Sequence, residues 1–96
     1  MKIILSKNTL KHIISRHPEV TTYAERIVEA VQNPDFIVKG LRNEHKSIKV
    51  LYRSPYRAKY LVVVYRKIHE EKIIITAYFT SKVNKVRGKI IWKKHQ

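Results

Sequence analysis

Five residues of the chain carry side chains that can together process a phosphate ester. His12, Arg16 and His17 lie close together near the N terminus, and Thr76 and Tyr78 alternate in a later apolar segment. Imidazoles exchange protons near neutral pH, a guanidinium binds phosphate oxygens, and hydroxyl groups donate hydrogen bonds to them. Cleavage of RNA without a metal needs such groups. Its 2′-hydroxyl must lose a proton, the departing 5′-oxygen must gain one, and the phosphate charge must be stabilised.

Each of these residues also has a structural interpretation. His12 can face solvent, His17 can cap the end of a helix, and Thr76 and Tyr78 are good strand formers. Taken singly, each residue favours the structural interpretation, whereas the five together favour a site. We therefore treat them as candidate catalytic residues.

Metal-dependent and nucleotide-dependent chemistry have little support in the sequence. There is no cysteine and no HExxH motif, His12 and His17 lack the spacing of a helical ligand pair, and the acidic residues are scattered. The two glycines, Gly40 and Gly88, form no phosphate-binding loop. We therefore expect neither a bound metal nor a cofactor.

The composition is strongly basic. Lys and Arg total 21 residues against 7 Asp and Glu, which gives a net charge of +14. An anionic partner relieves such self-repulsion, and nucleic acid, here RNA, is the partner we expect. A Lys-rich surface can instead be a thermal adaptation, but that alternative predicts an accompanying enrichment in Glu; an anionic membrane surface ranks third. Four basic residues are candidates to bind phosphates: Lys49, Arg53, Arg57 and Lys59.

The first of two predicted helices carries the histidines. Asn8 is a good N-cap, and Pro18 disfavours helical geometry at His17, so this helix should end near Arg16. His12 and Arg16 then share a helix face that points away from the apolar stripe. Residues 1–5 form a short apolar start, either a strand or a lead-in packed under this helix.

A capping box predicts the second helix. Thr22 and Glu25 have the required spacing, and the helix should end at Asn33, Pro34 and Asp35. Beyond this point the apolar pattern changes from helical spacing to alternation, which predicts strands at residues 36–41, 48–53, 58–67 and 72–79. The connections are too short for crossover helices, so consecutive strands should pair antiparallel as a meander.

The strand at 72–79 should lie at the centre of the sheet. Alternation places Thr76 and Tyr78 on one face. The other face is entirely apolar and should pack beneath the helices: Ile73, Ile75, Ala77 and Phe79. One face therefore needs a core, and the other presents two hydroxyl groups.

These elements predict a single α+β domain over residues 1–96, with two N-terminal helices packed on an antiparallel sheet of about four strands. A basic tail begins at about residue 83, and its apolar run at 90–92 can add an edge strand or dock as an anchor. The apolar segments are too short to span a bilayer, and residues 1–30 lack the features of a signal peptide. We expect a cytoplasmic protein that does not insert into membranes.

A known superfamily shows a similar order of motifs. The matching segments are His12 with Arg16, His17, Pro18 and Glu19, then Asn33, Pro34 and Asp35, the basic strand at 59–64 and the segment 75–78. Together they resemble the phage- and toxin-associated RNases of the barnase–EndoU–colicin–RelE-like superfamily. The resemblance covers residues 3 to about 80.

This resemblance implies a pair of helices followed by a sheet, and a metal-independent RNA-cleaving site. It assigns that site to His12, Arg16, His17, Thr76 and Tyr78. It also implies a toxin-like role, with an acidic antitoxin or immunity protein as a partner. We expect an endoribonuclease that leaves a 2′,3′-cyclic phosphate. The alternative is a non-catalytic basic module that binds RNA or DNA through phosphates alone.

Overall fold

The computed structural model describes residues 2–51, 59–83 and 86–94, with the backbone alone described at residues 22 and 23. The helical elements are α1 (Lys7–Arg16), a 3-10 helix (Pro18–Tyr23) and α2 (Ala24–Gln32). The strands are β1 (Lys2–Ile4), β2 (Phe36–Lys39), β3 (Glu44–Val50), β4 (Tyr60–Ile68), β5 (Glu71–Thr80) and β6 (Ile90–Lys93).

The six strands form one sheet in the order β1-β5-β4-β3-β2-β6. The α+β single-domain prediction is confirmed, but the sheet is larger than the expected four strands and is mixed. β2 to β5 form an antiparallel meander, as their short connections require. β1 pairs parallel with the start of β5, and β6 pairs antiparallel with β2. The two added strands come from the ends of the chain.

The first helix begins earlier than the sequence indicates. The N-cap is Ser6 rather than Asn8, because the Ser6 hydroxyl accepts a hydrogen bond from the backbone N–H of Thr9 at 3.1 Å. The predicted end at Arg16 is confirmed, and Pro18 begins the 3-10 helix. Asn8 lies in the first turn of α1, where its side chain is exposed.

The second helix begins at Ala24 and packs its apolar face on the sheet. Ile27, Ala30 and Val31 are its buried residues. The predicted capping box depends on the side chain of Thr22, which lies outside the described part of the chain. In the described residues, no helix is long and apolar enough to cross a membrane.

The main core lies between the helices and one face of the sheet. Its sheet residues come from two neighbouring strands: Leu61, Val63 and Tyr65 of β4, and Ile74 and Ala77 of β5. Ile13 of α1 and Ile27 of α2 cover them, and both are fully buried. We call this face of the sheet the helix side. The prediction that the strand at 72–79 is central is wrong, because β5 is second from the edge and β1 pairs only with its first three residues.

A β-bulge in β5 changes which isoleucine enters this core. Val64 pairs with Thr76 and Tyr65 pairs with Ile74, so the register passes over Ile75. Ile74 is 2% exposed and packs on the helix side with Ala77. The prediction that Ile73 and Ile75 share that face is wrong, because a simple alternation cannot anticipate an extra residue.

A smaller core covers the opposite face of the sheet. Val38, Ile48 and Val62 pack there with Val86, which lies in the segment before β6. Gly88 allows that segment to approach β2, because a Cβ built on it would lie 2.1 Å from the carbonyl oxygen of Lys39. Its φ of +129° also favours glycine. β6 thus reaches the edge of the sheet through this glycine.

Candidate active site

The end of α1 brings His17 to Tyr78. His17 is the C-cap residue of α1, and its backbone N–H donates to the carbonyl of Ile13 at 2.7 Å. The rings of His17 and Tyr78 lie with their centroids 6.0 Å apart and their planes tilted by 39°. The Nδ1 atom of His17 is 3.6 Å from the Oε1 atom of Glu19, and about a third of each side chain is exposed. A carboxylate at this distance can orient the imidazole.

Tyr78 and Thr76 lie on the face of β5 opposite the helix side. Tyr78 pairs with Val62 across β4 and packs against the smaller core. Burial raises the pKa of Tyr78, so its hydroxyl remains protonated at neutral pH and can donate a hydrogen bond. Thr76 lies two residues earlier and is partly exposed, so its side chain projects from the same face.

The other two helix residues stay apart from this contact. The side chains of His12 and Arg16 are exposed on α1, and neither side chain makes a hydrogen bond or ion pair with another described residue. His12 precedes His17 by more than one helical turn. The structure therefore brings His17 and Tyr78 together, with Thr76 beside them, and leaves His12 and Arg16 on the surface of α1.

The candidate phosphate-binding residues have different surroundings. The Nζ atom of Lys49 donates to the carbonyl of Asn33 at 2.8 Å and lies 4.0 Å from a carboxylate oxygen of Asp35. That ammonium is thus engaged within the fold. Lys59 is exposed. Arg53 and Arg57 lie outside the described residues.

A second group of polar side chains was not anticipated from the sequence. We call it the His45 cluster, and it consists of Lys39, His45, Ser47, Tyr65, Lys67 and Lys72. The imidazole of His45 stacks on the Tyr65 ring, with centroids 5.5 Å apart and planes inclined by 16°. The Nζ atom of Lys72 lies 5.2 Å from the centroid of the same ring. The register of β2 to β5 places all six residues on the helix side.

Burial and like charge both act on this cluster. Burial, together with the ammonium groups of Lys39, Lys67 and Lys72, lowers the pKa of His45. Burial and the charge of Lys67 lower the pKa of Lys72. Burial also raises the pKa of the Tyr65 hydroxyl. At neutral pH, His45 is therefore an uncharged imidazole among cations.

The cluster was missed because β3 begins earlier than predicted. Alternation predicts that this strand starts at residue 48, whereas β3 begins at Glu44. Once that start is known, alternation places His45 and Ser47 on one face. The start of the strand is not recognised from the sequence because His45, Lys46 and Ser47 are polar, whereas strands are predicted from runs of apolar residues.

One protein-family model matches most of the chain. The model for the phage-Barnase-EndoU-ColicinE5/D-RelE like nuclease2 family matches residues 1–93. The chain belongs to this family. Membership confirms the resemblance found in the sequence and identifies the chain as a nuclease-family protein, whose substrate class is nucleic acid. Comparison with curated proteins and with solved structures finds no match. Among residues 2–51, 59–83 and 86–94, no three His, Asp or Glu side chains are grouped as metal ligands.

Proposed function

We propose that this member of the phage nuclease family is a metal-independent, toxin-like endoribonuclease. It cleaves RNA by attack of the 2′-hydroxyl on the adjacent phosphorus and leaves a 2′,3′-cyclic phosphate. The observation that carries the proposal is the contact of His17 with Tyr78, two residue types suited to proton transfer and phosphate binding, at 6.0 Å between ring centroids. Family membership supports nucleic acid as the substrate.

The proposed step needs two proton transfers. A base removes the 2′-hydroxyl proton as the 2′-oxygen bonds to phosphorus, and an acid protonates the 5′-oxygen as its bond to phosphorus breaks. We assign one of these transfers to His17; His12, exposed on α1 more than one helical turn away, is the other histidine of the predicted site. Tyr78 and Thr76 donate hydrogen bonds to the phosphate oxygens, and Arg16 binds the phosphate through its guanidinium. Tyr78 suits this role because its pKa is raised by burial.

Purified protein and a short RNA with one scissile position test the proposal. Cleavage should persist in excess chelator, yield a cyclic phosphate, and stop when that position carries a 2′-deoxy sugar. His17→Asn keeps a polar side chain but removes proton transfer, and should lower the rate about 100-fold or more. Tight binding of RNA that stays intact across a wide range of pH would refute the proposal.

The net charge of +14 favours a second candidate function, a basic module that binds nucleic acid without cleaving it. Binding by either function should weaken with salt, by about 0.7 in log K per log salt for each phosphate contact on a single strand. The variant His17→Asn separates the two candidates. If the chain is a nuclease, this change should slow cleavage about 100-fold or more and leave the binding of a 2′-deoxy oligonucleotide nearly unchanged. A pure binding module has no cleavage to lose.

Partner and location follow from the toxin-like proposal. A chain with net charge +14 suits an acidic antitoxin or immunity protein, since an acidic surface competes with RNA phosphates for the same cations. We place its action in the cytoplasm, where RNA is abundant. Expression of the active chain should arrest growth, and His17→Asn should relieve the arrest.

A further inference from the structure

We propose that the His45 cluster is a second site, which binds a phosphate group of the RNA on the helix side of the sheet. The residues form a row across four strands. Lys39 of β2 pairs with His45 of β3, and His45 pairs with Tyr65 of β4. Lys67 of β4 and Lys72 of β5 form the next pair. The row brings the ammonium groups of three lysines around the imidazole of His45.

Among the described residues, the charges that act on the pKa values of His45 and Lys72 are those of lysines. Glu44 and Glu71 belong to the same strands but face the opposite side, where Glu44 lies 3.4 Å from Arg66. The charged side chains of α2, which packs against β3 and β4, are exposed: Glu25, Arg26 and Glu29. β1 places Ile3 opposite Lys72. Such like-charge crowding destabilises the free protein, which is typical of binding sites.

One polar atom of the cluster lacks a hydrogen-bond partner. The Nδ1 atom of His45 is buried and has no partner among the described residues, and the backbone of Asn43 is the polar group that acts on this imidazole. The hydroxyl of fully buried Ser47 is engaged with the Tyr65 hydroxyl. Buried polar atoms are nearly always hydrogen-bonded, so the unpaired imidazole nitrogen beside three lysines points to a ligand. The Lys39 ammonium donates to the carbonyl of Arg42, which leaves it further protons to share.

A phosphate matches these groups better than other ligands. It carries negative charge and accepts several hydrogen bonds, as the lysine ammonium groups require. Lys67 is exposed, and Lys39, His45 and Lys72 are partly exposed, so the cluster is open to solvent at the hairpin end of the sheet. A cation would be repelled by the same lysines.

This site is distinct from the His17 and Tyr78 contact. Lys72 and Tyr78 are six positions apart on β5, about 20 Å along a strand, and they project from opposite faces. The two sites therefore hold different phosphates. The inference rests on the proposed function only in taking RNA as the ligand, and it requires no cleavage.

NMR titration of the histidine imidazoles tests the proposal without any activity readout. An oligonucleotide with 2′-deoxy sugars should raise the titration midpoint of His45, because a bound phosphate favours the imidazolium form. A rise of about half a pH unit corresponds to about threefold tighter binding to that form. Inorganic phosphate and a nucleoside monophosphate form separate arms of the experiment.

Matched variants test which residues cause the oligonucleotide-induced change in the titration midpoint of His45. Lys72→Gln should at least halve the oligonucleotide-induced change at His45, whereas Lys94→Gln removes the same charge from an exposed position and should leave it unaltered. An unmoved His45 midpoint during saturating oligonucleotide binding would overturn the site. A response to inorganic phosphate alone would overturn RNA as its ligand.

The outcomes also separate this inference from the proposed function. If RNA stays intact but His45 responds to the 2′-deoxy oligonucleotide, the second site stands and the nuclease proposal fails. If RNA is cleaved while His45 stays unmoved, the reverse holds.

Discussion

The bulge in β5 makes a sharp prediction about stability. Ile74 is 2% exposed in the core on the helix side. Ile74→Ala deletes an ethyl and a methyl group, and at about 0.8 kcal/mol for each buried carbon the lost transfer energy is about 2.4 kcal/mol. The cavity adds to this, so the free energy of unfolding should fall by about 2 to 5 kcal/mol. Urea unfolding followed by circular dichroism measures this change.

Ile75→Ala is the matched control. It removes the same atoms from the adjacent residue, which the register passes over and which is only partly buried. Its cost should be about 1 kcal/mol or less. In both variants the free energy of unfolding should fall with urea concentration at the wild-type slope, since the surface exposed on unfolding barely changes. Equal losses, or a larger loss for Ile75→Ala, would refute the bulge and its assignment of faces.

Four further predictions concern the two sites and the β6 edge. Tyr78→Phe keeps the ring and removes the hydroxyl, so single-turnover cleavage should slow about tenfold or more while unfolding stays nearly unchanged. Arg16→Ala should weaken both oligonucleotide binding and rate, because a phosphate-binding group acts in ground and transition states. The pKa of His45 is lowered from 6.5, so the unfolded state takes up its proton first and stability falls as pH drops below about 6.5. His45→Gln should flatten that fall in urea titrations, and an unchanged slope would contradict it. Gly88→Ala should cost at least about 1 to 3 kcal/mol in unfolding experiments, because its Cβ meets the Lys39 carbonyl at positive φ.

The sequence predicts the elements whose signals are local. The four strands of the meander follow from alternation and short connections, and the end of α1 follows from Pro18. The start of α1 is less certain from sequence, because Ser6 and Asn8 are both good caps and only packing selects between them. The number of strands depends on pairings between distant segments, which local patterns do not contain.

For the candidate site, the sequence indicates residue types but not the contacts between them. Residue types alone suggested His17 and Tyr78, but their 6.0 Å contact depends on how α1 lies against β5. The His45 cluster depends on three strand registers and on a polar strand start at Glu44. Its histidine and lysines belong to no sequence motif, so their proximity is evident only from the strand registers of the folded sheet.

The parallel pairing of β1 with β5 has a consequence for synthesis of the chain. β1 pairs with Glu71, Lys72 and Ile73, which are made only after both helices and strands β2 to β4. Non-local pairing of this kind delays folding, since a long loop must close before the contacts form. The His17 contact with Tyr78 is subject to the same order. A nascent chain therefore carries no assembled site until β5 has been made and has left the ribosome, which is itself rich in RNA phosphates.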